Sequence, residues 1–222
     1  MELSAFDIIG PIMIGPSSSH TAGAVRLGLL SRAILNQEPT EARIYLHGSF
    51  AETYRGHGTN LALVAGLMGL ATDDERIPEA LQLARARGLE VSFQSIDLGD
   101  VHPNSVKIEL RGKAGRRVVV TGSSVGGGKI LITNIDDFAV ELSGDYHTVI
   151  VIHLDQPGVV AQITTLLAAA QVNIAQMRLS RQKRGALALT VLETDQEVQA
   201  TVLDLIRAMP AVNLAMTAKP LV

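Results

Sequence analysis

From Tyr146 onward the chain alternates strand-like and helix-like runs in an order that few folds accept. The run 146–154, YHTVIVIHL, reads as a strand. Asp155-Gln156-Pro157-Gly158 is a turn that opens the apolar helix VVAQITTLLAAA. NIAQMRLSR and ALALTVLET are two further strands, joined by a Gln182-Lys183-Arg184-Gly185 turn. EVQATVLDLIRAM is a second helix, and AVNLAMTA is the last strand. The order β-α-β-β-α-β is the ferredoxin-like unit. It is expected to form a domain over 146–222.

The preceding residues follow a different plan. Val25, Leu29 and Ala33 recur every fourth position, with Leu30 and Ile34 beside them, so a helix is expected from Thr21 to about Leu35. Glu41–His47, EARIYLH, alternates as a strand does. A short helical piece, SFAETYRG, precedes a second apolar helix, LALVAGLMGL, opened by His57-Gly58-Thr59-Asn60. Gly66 and Gly69 within it suggest close helix packing, because glycine otherwise weakens a helix. Residues 78–87 form another helix, with Pro78 in its first turn and Gly88 at its end. Four β-like runs then follow: LEVSFQSI, NSVKIELRG, RRVVVTGSS and GKILITNI. Residues 6–14 read as a loop or short strand. The expected class is α+β, with an N-terminal mixed domain over 1–143 whose helices lie on a sheet. The small polar stretch Leu142-Ser143-Gly144-Asp145 marks the boundary.

Composition narrows the chemistry. Hydrophobic residues make up 47% of the 222 and charged residues 18%, as in a folded globular chain. The net charge of -3 gives no basis for binding nucleic acid or an anionic membrane. No apolar run is long enough to span a bilayer, and MELSAFDIIG lacks the pattern of a secretory signal. Cysteine is absent, which fits a cytoplasmic protein. It also removes thiol nucleophiles and cysteine-held metal clusters from this polypeptide, and no metal site is expected in it.

Three polar clusters remain as candidates. They are Ser17-Ser18-Ser19-His20-Thr21, Gly56-His57-Gly58-Thr59-Asn60 and His102-Pro103-Asn104-Ser105. Each sets a histidine beside hydroxyl or amide groups, and two precede apolar helices. Hydroxyls and helix N-terminal N–H groups bind carboxylate or phosphate, and histidines move protons. Each cluster also has a plain structural role: the serines cap a helix, His57 is an exposed residue before a helix, and His102 belongs to a turn. Gly126-Gly127-Gly128 reads as a hairpin, and no Lys-Ser/Thr pair follows it as a P-loop requires.

Taken together, GPSSSHTAGAVRLG at 15–28, GHGTN at 56–60, HPNS at 102–105 and SSVGGGKI at 123–130 carry a family resemblance. With the β-α-β-β-α-β unit behind them, they make the whole chain similar to the beta chains of iron–sulfur-dependent L-serine dehydratase (L-serine ammonia-lyase). The N-terminal half is also similar to an allosteric-substrate-binding domain of certain phosphoglycerate dehydrogenases. The C-terminal unit resembles the ACT domain, an amino-acid-binding regulatory module, most specifically in HLDQPGV at 153–159 and in Asn173.

The resemblance implies a lyase subunit that acts on L-serine with a separate alpha chain. Cysteines of that chain would hold a [4Fe–4S] cluster, and this chain would be inactive alone. It implies His20 and His57 as proton-transfer candidates, unranked. Ser17, Ser18, Ser19, Thr21, Thr59, Asn60, His102 and Asn104 become substrate-binding candidates. In the ACT-like unit it implies effector binding by His153, Asp155, Gly158 and Asn173, and a homodimer. The alternative is a non-catalytic, amino-acid-binding regulatory protein.

Overall fold

The computed structural model describes residues 11–221. Residues 6–10 of the expected N-terminal loop or strand lie outside them. Residues 11–14 are irregular. They are tied down where the Ile14 N–H donates to Thr72 O (2.9 Å) and the Thr72 hydroxyl donates to Ile12 O (2.9 Å). The chain divides into two compact units, Met1–Thr133 and Asn134–Val222.

In the first unit a π-helical turn, Ser18–Gly23, runs directly into helix α1, Ala24–Leu35. Strand β1 is Pro39–Leu46, followed by α2, Gly48–Thr53, and α3, Thr59–Leu67. A 3-10 turn, Ile77–Glu79, leads into α4, Ala80–Ala86. Then come β2 (Glu90–Ser95), β3 (Ser105–Gly112), β4 (Arg117–Gly126) and β5 (Lys129–Ile135); β6 (Phe138–Leu142) follows in the second unit. Within this unit the sheet order is β2-β1-β3-β4-β5. Strands β1 and β2 pair in parallel, and β3 is antiparallel to both β1 and β4. The parallel pair needs a crossover, which the helices between β1 and β2 supply. Gly126, Gly127 and Gly128 all have positive φ in the turn between β4 and β5, as the hairpin reading expects.

Helices α1 and α3 touch backbone to backbone, and glycine makes that possible. A Cβ on Gly66 would stand 2.1 Å from Val25 O, and one on Gly28 would stand 2.4 Å from Leu63 O. Gly69 serves otherwise. It follows the end of α3 with φ +81, a left-handed conformation that glycine adopts without steric cost. The contact buries Val25, Leu63 and Leu67 completely.

The second unit contains β7 (His147–Leu154), α5 (Val159–Ala169), β8 (Ile174–Arg181), β9 (Leu187–Thr194), α6 (Ala200–Arg207) and β10 (Val212–Ala218). Its sheet order is β10-β7-β9-β8, with β7 antiparallel to β9 and β10, and β8 antiparallel to β9. This is the expected ferredoxin-like arrangement. One face carries α5 and α6 over Val149, Val151, Ile163, Leu167, Leu192 and Ile206. Strand β6 was not expected from the sequence. FAVEL nevertheless alternates buried and exposed residues as a strand does. Within the second unit β6 lies along β8: the Ser180 hydroxyl donates to Ala139 O, and Arg178 pairs with Glu141 at 2.6 Å.

Candidate active site

The expected helix beginning at Thr21 starts three residues earlier, as a π turn. Ser17 is its N-cap, in extended conformation, and its hydroxyl accepts from the His20 N–H at 3.2 Å. The first turn closes where the Thr21 N–H donates to Ser17 O (2.8 Å). A π turn is wider than an α turn and is common at functional sites. The half-buried Ser18 and Ser19 occupy its first two positions, where backbone N–H groups have no partner within the helix. The turn packs on β4 and α3. Gly23 allows the approach to β4, since a Cβ there would stand 2.1 Å from Ser124 Oγ.

His20 is the buried centre of this region, at 9% exposure. Its Nδ1 lies 3.4 Å from the Ser17 hydroxyl and its Nε2 lies 3.2 Å from the Ser49 hydroxyl. The His57 ring meets it edge-on at 4.9 Å between centroids, and Phe50 does so at 5.3 Å. Burial lowers the pKa of His20 below its ordinary value. The nearby charge of His57 lowers it further, and a backbone hydrogen bond to Ser49 opposes the shift. His20 is therefore a neutral imidazole at neutral pH, with one ring nitrogen able to accept a proton. His57 is exposed. The two histidines, 37 positions apart in sequence, thus share one place in different surroundings.

Buried polar atoms without partners occur on the elements that carry this pair. Among the described residues, Thr21 Oγ1, Thr59 Oγ1, Ser124 Oγ and Asn104 Oδ1 accept or donate no hydrogen bond. Leaving such a group unpaired costs about 1–3 kcal/mol each. Such groups are a few per domain at most and call for a local reason. Thr59 begins α3, Thr21 follows His20, and Asn104 is joined to Ser124 by the Ser124 N–H to Asn104 O bond (2.9 Å). Asn60 is half-buried beside Thr59. His102 is exposed, and its Nδ1 accepts from the Asn104 N–H (3.1 Å) in a tight turn. It shapes the loop that carries Asn104.

Ser49, Phe50 and Ser124 escaped the sequence reading. Ser49 stands 29 positions from His20, so no local spacing joins them. Ser124 lies in the quoted SSVGGGKI run, but only the close approach of Gly23 gives it a place at the site.

The ACT-like residues are differently disposed. His153 is a core residue at 1% exposure, with Nε2 at 2.8 Å from the Thr190 hydroxyl and Nδ1 at 2.7 Å from Leu154 O. Asp155 Oδ2 accepts from the Gly185 N–H (3.1 Å) and Arg181 (3.2 Å). The first of these bonds is the larger cause of its lowered pKa. Asn173 donates to Asp195 (2.6 Å) and its N–H donates to the Gln196 side chain (2.8 Å). Gly158, with φ +88, caps α5.

Residues 4–134 match the serine dehydratase beta chain family, and residues 147–211 match the ACT domain. The chain belongs to the serine dehydratase beta chain family. It is 44% identical to the probable L-serine dehydratase beta chain of Bacillus subtilis, covering 93% of this chain and 94% of that one. It is 40% identical to the L-serine dehydratase beta chain of Peptoniphilus asaccharolyticus, covering 88% of each. The D-3-phosphoglycerate dehydrogenase of Synechocystis is 25% identical over 88% of this chain and 35% of its own. In this serine dehydratase beta chain, no cysteine occurs, and the described residues hold no group of three His, Asp or Glu able to bind a metal. No helix among them is long and apolar enough to cross a membrane.

Proposed function

We propose that this chain supplies the carboxylate grip and the proton-transfer histidine of an L-serine dehydratase. The reaction is β-elimination: a proton leaves Cα, hydroxide leaves Cβ, and aminoacrylate forms. Tautomerisation and hydrolysis then give pyruvate and ammonia. The observation that carries this reading is the buried His20 on a serine-capped turn, with the His57 ring against it. The backbone N–H groups of Ser18 and Ser19, with the Ser18, Ser19 and Thr21 hydroxyls, hold the substrate carboxylate. Thr59, Asn60 and Asn104 orient the remaining polar groups. His20 accepts the Cα proton, because its surroundings keep it neutral. His57 stands at the exposed side and tunes it.

The residues of this chain do not fit an iron–sulfur cluster, which needs thiolate ligands. A [4Fe–4S] cluster belongs to the cysteine-bearing alpha chain, and departure of the hydroxyl is assigned to no residue described here. The C-terminal unit binds a regulatory amino acid and joins two copies of the chain.

The pH dependence tests the assignment of the base. His20 must be neutral to act, so activity falls as pH drops through its lowered pKa. The charge of His57 contributes to that lowering. His57→Asn removes it, so the acid limb of kcat/KM in the alpha–beta complex should move to higher pH. An acid limb that stays in place, or moves lower, would reject His20 as the titrating base.

A further inference from the structure

A third histidine, His47, stands near the site without belonging to it. It follows β1 and immediately precedes α2, in extended conformation. It faces the segment 96–104, which joins β2 to β3, has no helix or strand of its own, and carries His102 and Asn104. The His47 side chain is 15% exposed. The Leu98 N–H donates to its Nδ1 at 3.1 Å. A backbone N–H can only donate, so Nδ1 presents the lone pair that accepts. Asp97 does not take that place. Its Oδ1 lies 3.8 Å from Nδ1 and accepts instead from the Gly99 N–H at 2.8 Å.

The two ends of the segment are fixed by backbone. The Ile96 N–H donates to Leu46 O (2.9 Å), and Asn104 O accepts from the Ser124 N–H (2.9 Å). Between those ends the bonds are local. The Val101 N–H donates to Gly99 O, the Asn104 N–H to His102 Nδ1, and the Ser105 hydroxyl to His102 O. Among the described residues, the Leu98–His47 bond is the hydrogen bond that ties 97–103 to an element distant in sequence.

Packing repeats the contact one residue further on. A Cβ on Gly48 would stand 2.6 Å from Pro103 O, so the start of α2 lies directly against the segment. Ser49 follows, and its hydroxyl bonds His20 Nε2 at 3.2 Å. Three consecutive residues therefore reach both sides of the site. His47 and Gly48 meet the segment that carries Asn104, and Ser49 meets the buried histidine.

We propose that His47 is a positioning residue: its Nδ1 keys the 96–104 segment to the start of α2 and so fixes Asn104 relative to His20. The inference rests on the reading of His20 and Asn104 as parts of the substrate site. Without an acceptor at Nδ1, the half-buried Leu98 loses the partner of its N–H, and the segment is held at its ends alone. A misplacement of about 1 Å is enough to weaken a positioned reaction greatly.

Steady-state kinetics of the alpha–beta complex with L-serine test this through two substitutions. His47→Leu removes the acceptor and keeps the bulk. It should raise KM about fivefold or more, with a smaller fall in kcat, as the loss of a partner for a half-buried donor implies. His47→Asn offers Oδ1 near the place of Nδ1 and should bring KM back to within about twofold of the original chain. Amide hydrogen exchange at Leu98 should quicken in His47→Leu and stay slow in His47→Asn.

A double-mutant cycle separates positioning from a general loss of structure. If His47 acts through Asn104, His47→Leu placed in an Asn104→Ala chain should add less than about twofold to KM. Effects that multiply in full would overturn the role of His47 and leave Asn104 in the substrate site. So would a His47→Leu chain with the original KM, or a His47→Asn chain as impaired as His47→Leu. An Asn104→Ala chain with unchanged KM would instead remove Asn104 from the substrate site, and the inference with it.

Discussion

His20→Asn should cost about 10²-fold or more in kcat when the chain is assembled with its alpha partner, with a much smaller change in KM. Positioned proton transfer is worth about 10²–10⁴-fold. The substitution keeps a polar group of similar reach and removes the titratable ring. The buried setting of His20, between the hydroxyls of Ser17 and Ser49, holds its ring in one place, and the exposed His57 does not share that setting. Ser49→Ala should cost less, since Ser49 positions the ring without touching substrate. Its mark should be a displaced pH profile, because the hydroxyl bonded to His20 Nε2 at 3.2 Å is lost. The steady-state kinetics of both variants decide this. A His20→Asn complex with near-normal kcat would remove the histidine from the chemistry.

The second large effect concerns folding. Gly66→Ala should lower the melting temperature of the first unit by several degrees. The added methyl would stand 2.1 Å from Val25 O and 2.8 Å from Leu29 N, both backbone atoms of α1. No rotamer change relieves such a clash, so the helices must separate. Overpacking of this kind costs about 1–3 kcal/mol, which in a domain of this size is several degrees. Gly28→Ala should behave alike, because the contact is mutual. Gly56→Ala is the control: a Cβ there meets only Thr53 O, at an ordinary 3.7 Å. Thermal unfolding followed by circular dichroism separates the three. An unchanged transition for Gly66→Ala would mean that α1 and α3 do not touch as described.

These two residues also show what the sequence could reveal. Gly66 was legible as a packing glycine because it interrupts a run that is apolar all round, where a weak helix former has to have a packing reason. Gly69, three positions later, looked the same and is a helix terminator. Local spacing cannot tell a glycine that meets a neighbour from one that ends a turn. The β-α-β-β-α-β order was readable because each element carries its own period and turn signals. Strand β6 was passed over, although FAVEL alternates, because it is short and abuts the polar boundary.

The site divides in the same way. His20 and His57 stood out by residue type and by motif, and the fold brings their rings to 4.9 Å. Their inequality was not readable, since it comes from burial, which depends on how the π turn packs on β4 and α3. Ser49 and Ser124 are ordinary serines in sequence and reach the site only through the tertiary fold. His153 reads as a strand-end residue, yet both ring nitrogens are bonded inside the core.

The central claim is that this chain completes an L-serine-dehydrating site whose metal half lies on a cysteine-bearing alpha chain. A drop-out assay measures it most directly: pyruvate and ammonia formed from L-serine by the alpha chain alone, by this chain alone, and by the two together. The mixture should form pyruvate and ammonia in equal amounts, and neither chain alone should form them above background. Full turnover by the alpha chain without this one, or no turnover from a stable complex whose cluster is intact, would contradict it.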